Sequence, residues 1–427
     1  NYYYGLNITD RSNPKMIFKI EGGQGDFQKL GQTWSRMTVA KIKFAGQDRF
    51  VLIFTGGYDT AQDSNTVNQA DATGNAIYMV DASTGQRLWW ASDKDADLNI
   101  TNMVNSMPAS ISAVDITGDG FINYLFAADT GGRVFRIDIK QDNAGAANFA
   151  KGGSIASLAG TDAENNRRFY NKPNVALVKD KQYGDYLTIA IGSGHRAHPI
   201  QTTDVENRFY MIKDYYPYGA PTTYQTKIEA DTTKVTLASG ESAEPSMLYN
   251  ASALMTDGKN VLTSDMQILM NNGGGWYVTF STKSEKVLSE STTFSGAIIF
   301  TTFSPTGGST TTACGPDTGA SRIYALDQKW AISTIDLDGD GDTDNDDASK
   351  ILSHSGIAPR PVVIYRKGGG KTIAIGTETI DDDRFQEQAS SDDCESKGTC
   401  DQQVKKCESN NCYVVPVYWR ENEINWG

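Results

Sequence analysis

A three-part pattern recurs along the chain and constrains its fold more than any other feature. An approach segment after Pro or a polar residue leads into an apolar run that ends in glycine. A short aromatic run follows and ends in aspartate. "SMPASISAVDI", "NYLFAADTGG" and "RVFRIDI" make one such unit, and "NKPNVALVKD", "YLTIAIGSG" and "RFYMIKD" make another. A third runs through "TWSRMTVAKI", "FVLIFTGGYD" and "AIYMVDASTGQRLWW", and "SRIYALD", "IAPRPVVIYR" and "KTIAIGTET" come near the C-terminus. Short runs enriched in β-branched and aromatic residues are strands rather than helices. The aspartates that close the third strands are Asp81, Asp138, Asp214 and Asp327, and the widest interval leaves room for a weaker unit around "NNGGGWYVTF" and "SGAIIFTTF". Antiparallel units repeating at this period predict an all-β chain and a β-propeller, with about seven blades expected. A two-sheet β-sandwich is the alternative. The polar stretches 59–75, 140–170, 215–260 and 381–411 read as insertions between strands. The opening "YYYGLNITD" reads as a third strand that completes a blade with strands from the C-terminal end. The expected organisation is one propeller domain over 1–427, with 381–412 a polar, cysteine-containing insertion.

Bulk composition removes some functions. A formal net charge of −13 argues against nucleic acid as a partner, because phosphate binding needs clustered Lys and Arg. No apolar run approaches the roughly 18 residues that a membrane-spanning helix needs. "NYYYGLNITD" reads as a strand already under way, so the chain is expected to be a piece of something longer. Four cysteines, Cys394, Cys400, Cys407 and Cys412, crowd near the C-terminus, with Cys314 apart. Their spacing holds no C-x-x-C pair and no neighbouring histidine, which fits two local disulfides in an oxidising compartment better than zinc.

Two acidic stretches carry the register of a calcium loop. "DLDGDGDTDNDD" puts seven carboxylates into the twelve residues 336–347. Asp336, Asp338 and Asp340 hold positions 1, 3 and 5, Gly341 position 6, Asp342 position 7, Asp344 position 9 and Asp347 position 12. Odd positions direct oxygens inward, position 7 offers its carbonyl, and the glycine makes the sharp turn. A shorter copy, "DITGDGFIN", lies between an approach strand and an apolar strand. Asp115, Thr117, Asp119 and Asn123 would supply side-chain oxygens there and Phe121 its carbonyl; Phe126 occupies position 12, so the bidentate carboxylate of an EF-hand is absent. Without a cation these are turns of Asp and Gly, in which packed carboxylates repel one another. One or two Ca²⁺ ions are expected.

"LGQTWSRMTVAKI", "FVLIFTGGYD", "AVDITGDGFINYLFAADTGGRVFRIDI", "AIGSGHRAHP", "RFYMIKD", "GIAPRPVV" and "IAIGT" together resemble, in order, the C-terminal domain of PilY/PilC proteins of bacterial type IV pili. That resemblance implies a modified β-propeller with hairpin calcium loops, the C-terminal domain of a larger protein exposed at the cell surface or pilus tip. It implies roles in pilus extension and retraction, twitching motility and surface attachment. The implied partners are minor pilins of the tip complex, a host-cell or abiotic surface, and an N-terminal adhesive domain of the same protein. The family's calcium loop falls on Asp115, Thr117, Asp119, Phe121 and Asn123, with Thr117 where Asn or Asp is commoner. The 336–347 loop is less general in the family, and the chain has no Arg-Gly-Asp tripeptide.

An enzyme is the rival reading. "DASTGQRLWW" (81–90) is similar to a repeat of quinoprotein dehydrogenases, which are also propellers, but one good copy is present and no cofactor-stacking set accompanies it. His195 and His198 in "HRAHP" stand three apart in a strand-to-loop setting and read as loop packing. No G-x-S-x-G is present. The expectation is a non-enzymatic protein.

Overall fold

The triplets become sheets. A computed structural model describes residues 1–141, 145–229, 246–255, 262–305, 319–340, 343–344, 346–365, 371–381 and 414–416. A hairpin, β1 (Tyr2–Asn7) with β2 (Lys15–Glu21), precedes a five-stranded sheet of β3 (Thr38–Phe44), β4 (Gln47–Thr55), β5 (Ala76–Asp81), β6 (Arg87–Ser92) and β7 (Leu98–Asn99). The second sheet holds β8 (Ser112–Val114), β9 (Tyr124–Ala128), β10 (Arg133–Ile139) and β11 (Ala150–Ser157). The third, of seven strands, gathers β12 (Asn174–Val178), β13 (Tyr186–Gly192), β14 (Arg208–Asp214), β15 (Ile228–Glu229), β16 (Met247–Asn250), β17 (Gly275–Thr279) and the late β25 (Val414–Pro416). The fourth holds β18 (Thr292–Phe294), β19 (Ala297–Ser304), β20 (Ala320–Asp327) and β21 (Ser349–Ser355). The fifth is β22 (Val362–Tyr365), β23 (Lys371–Ile375) and β24 (Glu378–Asp381). One α-helix, Ser264–Asn272, is described. The chain is all-β and propeller-like.

Successive sheets face one another, which explains why the middle strands are apolar on both sides rather than alternating. Leu125 and Ala127 of β9 pack toward the first sheet with Met79 and Trp89, while Phe126 and Ala128 pack toward the third with Leu187 and Tyr210. Tyr210 and Ile212 of β14 face the second sheet, while Phe209 and Met211 face the fourth with Phe300 and Tyr324. Ile298 and Phe300 of β19 point one way, and Ala297 and Ile299 point the other, toward Ile373 and Ile375. The period of two in each strand thus feeds two cores. First strands β3, β8, β12 and β18 lie beside their neighbours in turn.

The terminal aspartates have a local cause. Asp81 Oδ1 accepts the Ser83 amide at 2.9 Å, Asp214 Oδ1 the Tyr216 amide at 3.1 Å, and Asp327 Oδ1 the Lys329 and Trp330 amides at 2.8 Å. Each ends its strand by offering the backbone a turn. Asp138 differs, because its carboxylate is taken by side chains, Tyr224 Oη at 2.6 Å and Arg136, which has no exposed side-chain surface. Arg136 donates through Nε and Nη2 to Asp138 (Nη2–Oδ1 2.6 Å), through Nη1 to Asp214 Oδ2 (2.7 Å) and Tyr216 O (2.9 Å), and through Nη2 to Gly219 O (3.0 Å). All five N–H groups are therefore used, and the guanidinium lies over the Tyr124 ring at 4.2 Å. Gly57, closing the apolar run "FVLIFTGG", has φ 87°, and a Cβ there would lie 2.1 Å from Gln32 O.

The described residues form the hairpin and five larger sheets. Two expectations need correction. "NNGGGWYVTF" and "SGAIIFTTF" do not share a unit: β17 pairs antiparallel with β14 of the third sheet, whereas β19 pairs with β20 of the fourth. Buried Trp276 of β17 fills the core shared by those two sheets, so adding a strand to the third sheet satisfies the segment. Finally, β1 pairs with β2 and not, among the described residues, with a C-terminal strand. Cys314, Cys394, Cys400, Cys407 and Cys412, and nearly all of the 381–412 insertion, lie outside the described residues.

Candidate functional site

The 115–123 loop joins β8 to β9, so a ladder of the second sheet holds both of its ends. Asp115 turns inward, its Oδ1 accepting the Gly118 amide and its Oδ2 the Gly120 amide, each at 2.7 Å. Gly118 and Gly120 have φ of 73° and 86°, the left-handed region that suits glycine. Asp119 Oδ1 accepts the Phe121 amide at 2.9 Å. Asn123 Oδ1 closes the neck by accepting the Ile116 amide at 2.9 Å, with Thr117 N at 3.4 Å and Thr117 Oγ1 at 3.3 Å. Buried Ile122 anchors the far side, and Lys41 covers the Phe121 ring at 4.3 Å. Hydrogen bonds join Thr117 to Asp115 and Asn123, while Asp119 and Phe121 are joined to each other; the groups these residues offer are all oxygen, the chemistry that suits a hard cation.

The 336–347 loop lies between β20 and β21 at the edge of the fourth sheet. Carboxylate oxygens of Asp336, Asp338 and Asp340 lie within 4.8 Å of one another. Asp336 Oδ1 accepts the Gly339 amide at 2.6 Å, which repeats the position-1 to position-4 bond of the shorter loop. The Asp340 amide holds the Asp338 carboxyl down, yet desolvation with the charges of Asp340, Asp347 and Asp336 raises it on balance. Buried Asp347 is turned onto the loop itself: Oδ1 accepts the Leu337 amide at 2.5 Å and the Asp338 amide at 3.1 Å, and Oδ2 the Asp344 amide at 3.1 Å. It binds the amides of positions 2 and 3, as Asn123 does. The two loops close by one device, from position 9 in one and position 12 in the other. Asp344 Oδ1 accepts the Asp346 amide at 2.8 Å, and Asp342 lies outside the described residues.

A third cluster was not anticipated. His195 and His198 meet Asp63, whose loop is 132 positions upstream of His195, with ligand atoms within 4.8 Å. Asp63 Oδ1 accepts from Tyr58 Oη at 2.6 Å and lies 3.1 Å from His198 Nε2. The guanidinium of Arg168 supplies this cluster with its own cation, at 2.8 Å from His195 Nδ1. Burial foremost, then Arg168 and His198, lowers His195 to a pKa of about 3 and keeps it neutral. The pair in "HRAHP" has a defined partner in Asp63, and spacing within the chain held no sign of it.

Comparison of the whole structure with solved structures finds the C-terminal domain of Pseudomonas aeruginosa PilY1. The two align with a TM-score of 0.58 at 16% identity, over 89% of this chain and 77% of that one. The chain has the fold of the PilY1 C-terminal domain. The resemblance read from the motifs therefore holds at the level of fold. Quinohemoprotein alcohol dehydrogenase from Comamonas testosteroni (TM-score 0.30, 13% identity, 81% of this chain and 41% of that one) is far less similar. So is a europium-containing methanol dehydrogenase (0.31, 13%, 82% and 52%), and likeness of that size carries no argument for a quinone site. No family model and no curated relative matches the sequence.

Proposed function

We propose that this chain is a calcium-binding, non-enzymatic module of a type IV pilus. In this reading 1–427 is one propeller domain, the C-terminal part of a larger tip-associated protein that governs extension and retraction, twitching and surface attachment. The observation that carries the reading is the fold, shared with the PilY1 C-terminal domain over 89% of the chain. A loop of calcium register lies within that fold between paired strands. The same likeness supports an extracellular, pilus-associated place, which this reading puts at the pilus tip, with minor pilins, an adhesive N-terminal domain and a host or abiotic surface as partners.

Calcium would be held in the first loop by the side chains of Asp115, Thr117, Asp119 and Asn123 and by the Phe121 carbonyl. In the second, Asp336, Asp338, Asp340 and Asp344 would serve, with the Asp342 carbonyl and with Asp347 directly or through water. The ion neutralises carboxylates that otherwise repel, and an ion bound to the folded chain alone stabilises it by about 2.7 kcal/mol at a hundredfold excess over its dissociation constant. Ion loss would slacken the hairpin face and change what the tip engages.

Calorimetry tests this. Asp119→Ala is expected to remove one calcium and leave the other, and Asp340→Ala to do the reverse. In cells Asp119→Ala should disturb pilus number or twitching more. Unchanged stoichiometry in both variants would refute calcium, and visible absorbance from a bound quinone in the purified protein would favour the dehydrogenase reading.

A further inference from the structure

The five larger sheets begin alike. The first strands β3, β8, β12, β18 and β22 start at Thr38, Ser112, Asn174, Thr292 and Val362. Two residues ahead of these starts stand, in order, Arg36, Ser110, Lys172, Glu290 and Arg360. Hydrogen bonds stitch the entries side by side. Ser110 Oγ accepts the Arg36 amide at 2.9 Å, Ser112 Oγ donates to Pro173 O, Thr293 Oγ1 donates to Asn174 Oδ1 at 2.6 Å, and Thr292 Oγ1 donates to Pro361 O at 2.6 Å. The five equivalent positions therefore ring one cleft of about 340 Å³, joined at its wall by Trp34.

Three cations and one carboxylate occupy that ring, in a chain whose net charge is −13. Glu290 takes two of them, with Arg36 Nη2 at 3.6 Å and Arg360 Nη1 at 3.2 Å. Lys172 is left without a hydrogen bond or ion pair among the described residues, and its ammonium is partly desolvated. Desolvation lowers its pKa, Glu290 opposes, and the guanidiniums of Arg360 and Arg36 lower it further. Holding these cations together costs free energy that an oxyanion would relieve, and a guanidinium fork matches a carboxylate. Trp34 is 42% exposed and stacks on Tyr58 at 4.4 Å, so a braced flat ring borders the cations. The volume suits one small ring rather than a polymer.

We propose that this cleft binds a small ligand carrying a carboxylate beside a flat ring face, chemistry shared by an acidic sugar and an aromatic acid. Lys172 and Arg36 hold the carboxylate, Trp34 carries the ring, and Glu290 is the internal anion that the ligand partly replaces. The site is separate from both acidic loops.

Calorimetry of the full chain with glucuronate, benzoate, glucose and inorganic phosphate tests it. One of the two acids is expected to bind, and glucose at the same concentration is not. Stronger binding of glucuronate would mark a sugar acid, and of benzoate an aromatic acid. Lys172→Met, Arg36→Ala and Trp34→Ala should each weaken the preferred acid at least fivefold. Glu290→Gln should tighten it, and Asp119→Ala should leave it unchanged. The Arg36 side chain is 81% exposed, so its variant tests the site with the fold intact. Unaltered affinity in Arg36→Ala, phosphate bound as tightly as either acid, or no binding of either acid at millimolar concentration would overturn the proposal.

Discussion

Asp347 offers a test that separates building the acidic loop from loading it. Its carboxylate accepts three backbone amides, those of Leu337, Asp338 and Asp344, and Leu337 is 2% exposed. Asp347→Ala leaves these donors without the acceptor that closes the loop. Hydrogen bonds to a charged group contribute about 1.5–3 kcal/mol each, but three that share one carboxylate do not add in full. A loss of about 3 kcal/mol is expected. At about 2.1 cal/mol/K of unfolding entropy per residue, the chain unfolding as one unit should melt roughly 3 °C lower. Asp347→Asn keeps one acceptor oxygen and turns an amide toward the Asp344 N–H, so about half the loss should remain. The assay is thermal and urea unfolding in excess chelator, then with calcium. Because the clamp is a property of the protein alone, the loss must appear in chelator. If Asp347→Ala melts with the parent there and departs from it only with calcium, Asp347 is a ligand and the clamp is wrong.

Calcium should raise the melting temperature more than magnesium at equal concentration, since a flexible all-oxygen cage suits the larger ion; equal shifts would count against the loops as calcium sites. His195 predicts an acid-side effect. Its folded pKa of about 3 lies below the ordinary 6.5, so the unfolded chain takes up a proton that the folded one refuses, and stability is lost as pH falls from 6.5 toward 3. His195→Asn should flatten that part of a urea-midpoint profile, and an unchanged slope would refute the assignment. If Cys394, Cys400, Cys407 and Cys412 form two disulfides, the intact mass without reductant should fall about four hydrogens below the all-thiol value, as two bonds require. Labelling of all four by a thiol reagent in denaturant would exclude it.

Local order made much of this molecule legible. "AVDITGDGFINYLFAAD" announces strand, loop and strand because glycine, aspartate and β-branched residues act within a few positions, and β8, the 115–123 loop and β9 follow that order. The third-strand aspartates were visible for the same reason, although the sequence carried their position and not their task of capping a turn. What stayed hidden depends on distance along the chain. Nothing near "NNGGGWYVTF" says that Trp276 belongs beside Phe209, and nothing near "HRAHP" points to Asp63. The ring of entry residues lies between these cases. Its members hold equivalent places ahead of aligned strands, but no residue type is common to all five, so a search for similar letters passes over them.

Arg136 carries a consequence for how the sheets come into being. In a stack of repeats each unit can in principle form alone and gain only from its neighbours. In the second sheet β10 contributes a guanidinium with no exposed surface, and one of its two carboxylate partners, Asp214, belongs to the third. While the third sheet is absent that cation can stay in water; once the two faces close on it, it needs Asp214 and the carbonyls of Tyr216 and Gly219 as well as Asp138. An uncompensated buried charge costs several kcal/mol, so closing the sheets with residues 214–219 out of place is penalised in a way that purely apolar faces would not impose. The two sheets are bound to a common fate: they gain order together and lose it together, and a partly unfolded molecule should break on one side of the pair rather than between its members.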